Sequence, residues 1–206
     1  MLRRTSPGTT PASPAPFNAP LFQELVSGLD MTERHVVLDL GAASTRLLAL
    51  LGRARCRVEI ADLAHFGGIE RLNTADAKPA LIETAGSLLP NRPVADGITL
   101  VFCWDLPNYL PLSALSALMT AIRDRSGPRA LAHALFYYAD PEMPQHPGRL
   151  VPTDDGELVD LSPAEATIAA PRYSPEAIGQ HIGGFTIDRA RLLGNGMQEY
   201  LFRLEP

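Results

Sequence analysis

The stretch Val36-Val37-Leu38-Asp39-Leu40-Gly41-Ala42-Ala43-Ser44-Thr45 decides how the chain is read. A short apolar run closes on an acidic residue and a glycine, and small residues follow. An apolar segment, Leu47-Leu48-Ala49-Leu50-Leu51, comes next. The run over Val36–Leu40 is continuous apart from Asp39, as in a central parallel strand covered on both faces. Strand, tight turn and helix start together make a unit that turns backbone N–H groups towards a ligand. A helix is expected over Ser44–Leu51, ending near Gly52.

Downstream the alternation repeats. Arg57–Asp62 reads as a second strand, again ending on an acidic residue, and Gly67-Gly68 breaks the chain soon after. Pro79–Leu89 carries a helical stripe of Leu81, Ala85, Leu88 and Leu89, closed by Pro90. Between Asp62 and Asp96 the one strand candidate is the short run Ile69–Leu72. Ile98–Trp104 is a buried strand ending at Asp105, and Leu112–Ile122 is an amphipathic helix. The Ser126-Gly127-Pro128 turn then leads into a strand over Ala130–Tyr138.

From Ala139 to Arg172 the composition shifts to Pro, Asp and Glu. Asp155-Gly156, between Leu150-Val151 and Leu158-Val159, predicts a hairpin. Ser162-Pro163-Ala164-Glu165 has the pattern of a capping box, and Ser174-Pro175-Glu176 starts a further helix that Gly183-Gly184 ends. Phe185–Leu193 and Met197–Leu204 flank Asn195-Gly196, and Tyr200, Phe202 and Leu204 alternate as an antiparallel hairpin requires. Upstream, Pro20–Leu29 places Leu21, Phe22, Leu25, Val26 and Leu29 on one helical face, with Asn18 as a candidate cap. Residues 1–18 are rich in Pro, Ser and Thr and are expected to form a flexible tail. Residues 19–206 then form one domain, with 139–172 as an insertion or lid.

The 206 residues are 46% hydrophobic and 20% charged, enough for one domain with a sizeable core, and the net charge of −5 disfavours nucleic acid as a partner. No apolar run reaches the length of a membrane span. Met1-Leu2-Arg3-Arg4 is followed by Thr, Ser, Gly, Ala and Pro instead of an apolar signal core, so the expected location is cytoplasmic. Cys56 and Cys103 lie in apolar runs and read as structural thiols. None of His35, His65, His133, His146 and His181 shares a ligand-like spacing with Cys or a carboxylate, so no metal is expected. His133 reads as a core histidine. Nucleotide-binding Gly-Lys-Ser/Thr and Gly-x-Ser-x-Gly motifs are missing from the sequence.

Strands alternating with helices and closed by a hairpin give an α/β class: a doubly wound, mostly parallel Rossmann-like sheet ending in an antiparallel β-hairpin. From about Met31 onwards the chain resembles the class I S-adenosylmethionine-dependent methyltransferases. Val36–Gly41 is similar to that family's hydrophobic-Asp-x-Gly motif. Asp62 matches the acid that binds the cofactor ribose, Ile98–Asp105 stands where substrate and cofactor meet, and the terminal hairpin resembles the family's last strands. The resemblance implies S-adenosylmethionine as cofactor, held by Asp39, Gly41, Ala42, Ala43 and Asp62. The Cys103–Trp104–Asp105 turn would border the transferable methyl, and a small molecule or protein would receive it. It leaves the adenine-binding residue open between Asp76 and Asp96.

Ligands in such sheets bind outside the carboxyl ends of the strands, where Asp39, Asp62 and Asp105 all fall. Gly41 lets backbone approach a ligand closely. The family's later loop glycines are replaced here by Ala43 and Thr45, and a positive φ at Ala43 would cost roughly 1–2 kcal/mol. A dinucleotide-binding enzyme needs the same missing glycines and an apolar residue at Asp39. The remaining alternative is a degenerate relative that keeps the fold as an interaction scaffold. Trp104-Asp105-Leu106-Pro107-Asn108-Tyr109 does not reproduce an amino-methyltransferase Asn/Asp-Pro-Pro-aromatic order. Trp104 and Tyr109 are expected to wall the cleft and Asp105 to cap the next element, or else to serve as the acid/base group. In the 139–172 segment Met143, His146 and Arg149 are the lid residues expected to face the cleft. Gln198 and Glu199 are candidates to pair with the sheet edge or a partner, and the hairpin's exposed end is a candidate edge for a homodimer.

Overall fold

The computed structural model of the chain describes residues 15–75, 78–91, 97–163 and 166–205. In order, the elements are α1 (Pro20–Ser27), β1 (Arg34–Asp39), α2 (Thr45–Leu51), β2 (Arg55–Ile60), α3 (Gly68–Thr74) and α4 (Lys78–Leu88). Next come β3 (Ile98–Trp104), a 3-10 turn (Leu106–Tyr109), α5 (Leu112–Arg123) and β4 (Ser126–Tyr137). Four short strands follow, β5 (Glu142–Pro144), β6 (Leu150–Pro152), β7 (Leu158–Asp160) and β8 (Thr167–Ala169). The chain ends with α6 (Pro175–His181), β9 (Phe185–Leu192) and β10 (Met197–Leu204).

One six-stranded sheet runs in the order β2-β1-β3-β4-β10-β9. The first four strands are parallel, and the β9–β10 hairpin joins antiparallel through β10. Apolar groups cover both faces. On one, Leu38, Val101, Cys103, Phe136, Tyr200 and Phe202 pack with α4, α5 and α6. On the other, Val37, Phe102, Trp104, Leu135 and Leu201 pack with Leu21 and Phe22 of α1 and Leu47 and Leu51 of α2. This is the expected Rossmann-like α/β sheet, doubly wound, with its antiparallel hairpin.

Several boundaries and one element differ from expectation. Gly67 takes a left-handed backbone and opens a helix at Gly68, so Ile69–Leu72 belongs to α3 and is not a strand. Among the described residues no strand lies between Ile60 and Ile98. Ser126-Gly127-Pro128 is not a turn but the start of β4, paired with Ile98. The backbones of Gly97 and Gly127 touch there, leaving no room for a Cβ on Gly97. The register shift between Ile98 and Leu100, with Arg129 at φ 62°, absorbs the irregularity that the Gly-Pro pair signals.

Asn18 does not cap α1. Ala19 occupies that position without a side-chain bond, and the Glu199 carboxylate takes the N–H groups of Leu21 (3.0 Å) and Phe22 (2.8 Å). Glu199 is fully buried, so it faces neither a sheet edge nor a partner, while Gln198 accepts the Tyr200 hydroxyl. Phe17, placed in the tail by composition, pairs its backbone with Leu158 in both directions. Residues 1–14, Asp76, Asp96 and the Ala164-Glu165 half of the capping-box pattern lie outside the described residues. Ser162, the other half, accepts the N–H of Arg149. Ser44 and Ser174 cap α2 and α6 through Leu47 and Ala177 as their sequences imply.

Candidate functional site

Parallel strands deliver their carboxyl ends to one edge, and five of the candidate site residues line one cavity there. Its volume is about 300 Å³. Gly41 and Ala42 after β1, Asp62 after β2, and Trp104 and Asp105 at the end of β3 form its floor. His146, Pro147, Gly148 and Arg149 form the opposite wall. Two of the expected lid residues, His146 and Arg149, therefore reach the cleft. Met143 does not: it is buried where β5 pairs with β8.

Asp39 stands behind this floor. Its Oδ1 accepts the Gly41 N–H at 2.9 Å and the Trp104 indole N–H at 2.6 Å. Burial pushes its carboxyl up to about 6, these two bonds pull it back, and the charge of Asp62 adds to the rise. Gly41 is held by the same arrangement. A Cβ there would lie 2.7 Å from Cδ1 and 2.9 Å from Nε1 of Trp104. The open face of Gly41 is thus taken by the chain's own indole, itself stacked on Phe102 and packed against Phe22. Trp104 holds a left-handed backbone at φ 53°, an uncommon conformation for a bulky residue.

Ala43, in contrast, is not among the described residues with positive φ. The loop accepts alanine without the strain that a glycine-like conformation would impose. Neither Ala43 nor Cys103 lines the cavity. Cys103 sits in the α4–α5 core, and burial pushes its thiol up to about 12.

Asp62 is half-buried, at φ 42° in the turn after β2, and its Oδ1 accepts the His65 N–H at 3.2 Å. Asp105 is buried to 2% exposure. It does not cap the 3-10 turn with its side chain. Its backbone carbonyl accepts from Asn108, and its Oδ2 reaches across to accept the Gly148 N–H at 2.8 Å. Its Oδ1 is buried without a hydrogen-bond partner. Burial pushes the carboxyl up to about 7, the Gly148 bond opposes, and the neighbouring Asp160 charge adds to the rise. Tyr109 does not wall the cavity. Its hydroxyl donates to the carbonyls of Pro144 and His146, fixing the segment that leads into Gly148.

The sequence reading missed His65, Gly148 and Asp160. Gly148 carried a readable signal, a glycine after Pro147 within a segment already assigned to the cleft. Asp160 carried none, because its role depends on Asp105 across the fold.

No family model matches the chain, and no curated protein matches it. Solved structures are similar to it. The Burkholderia thailandensis 1,6-didemethyltoxoflavin-N1-methyltransferase, with bound 1,6-didemethyltoxoflavin and S-adenosylhomocysteine, is 17% identical. That match covers 98% of this chain and 100% of the other, at a TM-score of 0.44. An S-adenosylmethionine-dependent methyltransferase from Clostridium acetobutylicum is 12% identical over 90% of this chain and 97% of its own, at 0.48. The pyocyanin biosynthetic protein PhzM is 14% identical over 89% of this chain, at 0.46. The chain spans 54% of the length of PhzM and 54% of that of TnmH, about half of each.

Proposed function

We propose that the chain is an S-adenosylmethionine-dependent methyltransferase that transfers a methyl group to a small molecule or protein. One observation carries this reading: Asp62, Asp105 and the Gly41 turn, from three successive parallel strands, converge with the 146–149 segment on one cavity. In an open parallel sheet this edge is where ligands bind.

The residues present fit the cofactor at one end and constrain it at the other. Asp62 turns a half-buried carboxylate into the cavity and would accept the two hydroxyls of a ribose. The Gly41-Ala42 backbone would hold the amino-acid end, but the Trp104 indole now rests on Gly41, so its position controls that end. When bound, the cofactor would supply a methyl group already activated on a sulfonium sulfur. The chain's own residues then have to position the acceptor, exclude water and take a proton. Asp105, buried with one free oxygen, is the group placed to take it.

A degenerate scaffold is the second reading, favoured by the same indole on Gly41. Trp104 is the chain's single tryptophan, so tryptophan emission reports on this one indole. Titration with S-adenosylmethionine is expected to change that emission saturably in the micromolar range. Emission that stays constant through the titration contradicts occupancy beside Gly41 and favours the scaffold.

A further inference from the structure

A second cavity, of about 340 Å³, lies beside the first between Phe17, Tyr137 at the end of β4, the β6–β7 hairpin and the β9–β10 turn. Its walls are mostly neutral and apolar: Phe17, Tyr137, Leu150 and Met197. The charged residues that line it are both acidic, Asp105 and Asp160. Asp105 also lines the first cavity, so the two cavities share this residue.

Gly148 packs against both carboxylates and marks how close together they lie. A Cβ on Gly148 would lie 2.9 Å from Asp160 Oδ2 and 3.3 Å from Asp105 Oδ2. Asp160 is fixed in turn, its Oδ1 accepting the Ser162 N–H at 2.9 Å. Asp105 Oδ1 has neither a hydrogen-bond partner nor contact with solvent, though the residue lines both cavities. An acceptor buried without a partner costs free energy that a bound donor would recover. Two like charges sharing a site favour a cation between them.

We propose that this second cavity binds a cationic amine with an apolar body, its nitrogen held between Asp105 and Asp160 and its body against Phe17, Tyr137, Leu150 and Met197. The claim deepens the methyltransferase reading and rests on it for one part only, that the amine is the methyl acceptor. In that role the bound ammonium would first give a proton to Asp105 Oδ1. The lone pair so freed would form the new N–C bond while the pair of the broken C–S bond stays on sulfur, leaving a methylammonium and a neutral thioether. Binding of the amine by itself needs only the two carboxylates and the apolar wall.

Phenethylamine, 2-phenylethanol and 3-phenylpropionate share a body and differ in charge, and serve as probes in ligand-observed NMR titrations of the full chain. The amine is expected to bind in the millimolar range, with the neutral and anionic probes at least about tenfold weaker. Asp160→Asn keeps an oxygen for the Ser162 N–H and is expected to weaken the amine about tenfold. The same variant should bind S-adenosylmethionine as the unmodified chain does. Equal binding of all three probes, or an amine affinity unchanged in Asp160→Asn, overturns the site. Charge-selective amine binding without S-adenosylmethionine binding overturns the acceptor role and leaves the amine site standing.

Discussion

Replacing Glu199 with alanine is expected to lower the free energy of unfolding by about 3–5 kcal/mol, the range for breaking a buried charged network from one side. The carboxylate is fully buried and answers three donors. It accepts the N–H groups of Leu21 and Phe22, and the Nε2 of His133 lies 2.9 Å from its Oε1. Alanine would leave all three without an acceptor in a core formed by Phe22, Phe102 and Trp104 around the imidazole. Docking of α1 would suffer with it, since Ala19 offers no cap of its own. Glu199→Gln retains one acceptor oxygen and should recover part of the loss. Urea unfolding at neutral pH measures both. A loss below about 1 kcal/mol for the alanine variant would place the network outside the stabilising core.

Asp105→Asn is expected to change how stability depends on pH. In the unfolded chain the carboxyl titrates near 3.8, and in the fold burial raises it to about 7. Between these values the folded protein holds a proton that the unfolded chain has released. Its contribution is therefore fully present below pH 3.8 and is lost as the pH rises through about 7. Asparagine mimics the protonated acid and carries no such dependence. The variant's stability relative to the unmodified chain should therefore climb across this window, by about 3–4 kcal/mol in total. Unfolding free energies of both proteins, measured at intervals from pH 4 to pH 8, give the difference curve. Parallel curves would show that the Asp105 carboxyl is not isolated from water as the structure places it.

How much of this was legible depended on where each residue's partner lay. Ile98–Trp104 could be bounded to the residue because a run apolar except for Thr99, between a glycine and an acid, leaves one reading. The starts of β1 and β2 were read two residues late. Arg34, His35, Arg55 and Cys56 pair across the ladder although their side chains carry no strand pattern. Ile69–Leu72 is too short an apolar run to separate strand from helix, and the left-handed Gly67 settles it as helix. The acids at the carboxyl ends of β1, β2 and β3 were legible because strand ends in a parallel sheet are collected at one edge. What lies behind them was not. The Asp39 carboxylate is spent on Trp104, 65 residues away, Asp105 on Gly148, 43 away, and Glu199 on α1, 178 away at Leu21. Spacing along the chain holds no record of such bonds, so Gly41 was read as room for a ligand where the fold also seats an indole.

Calorimetric titration with S-adenosylmethionine tests most directly the proposed cofactor site at Asp62 and the Gly41 turn. The unmodified chain should release or absorb heat saturably with micromolar affinity. Asp62→Ala removes a half-buried carboxylate whose hydrogen bond is to the exposed His65 N–H, so the variant should stay folded and bind at least about tenfold more weakly. Absence of heat at high-micromolar ligand, or equal affinity in Asp62→Ala, would contradict the site as placed.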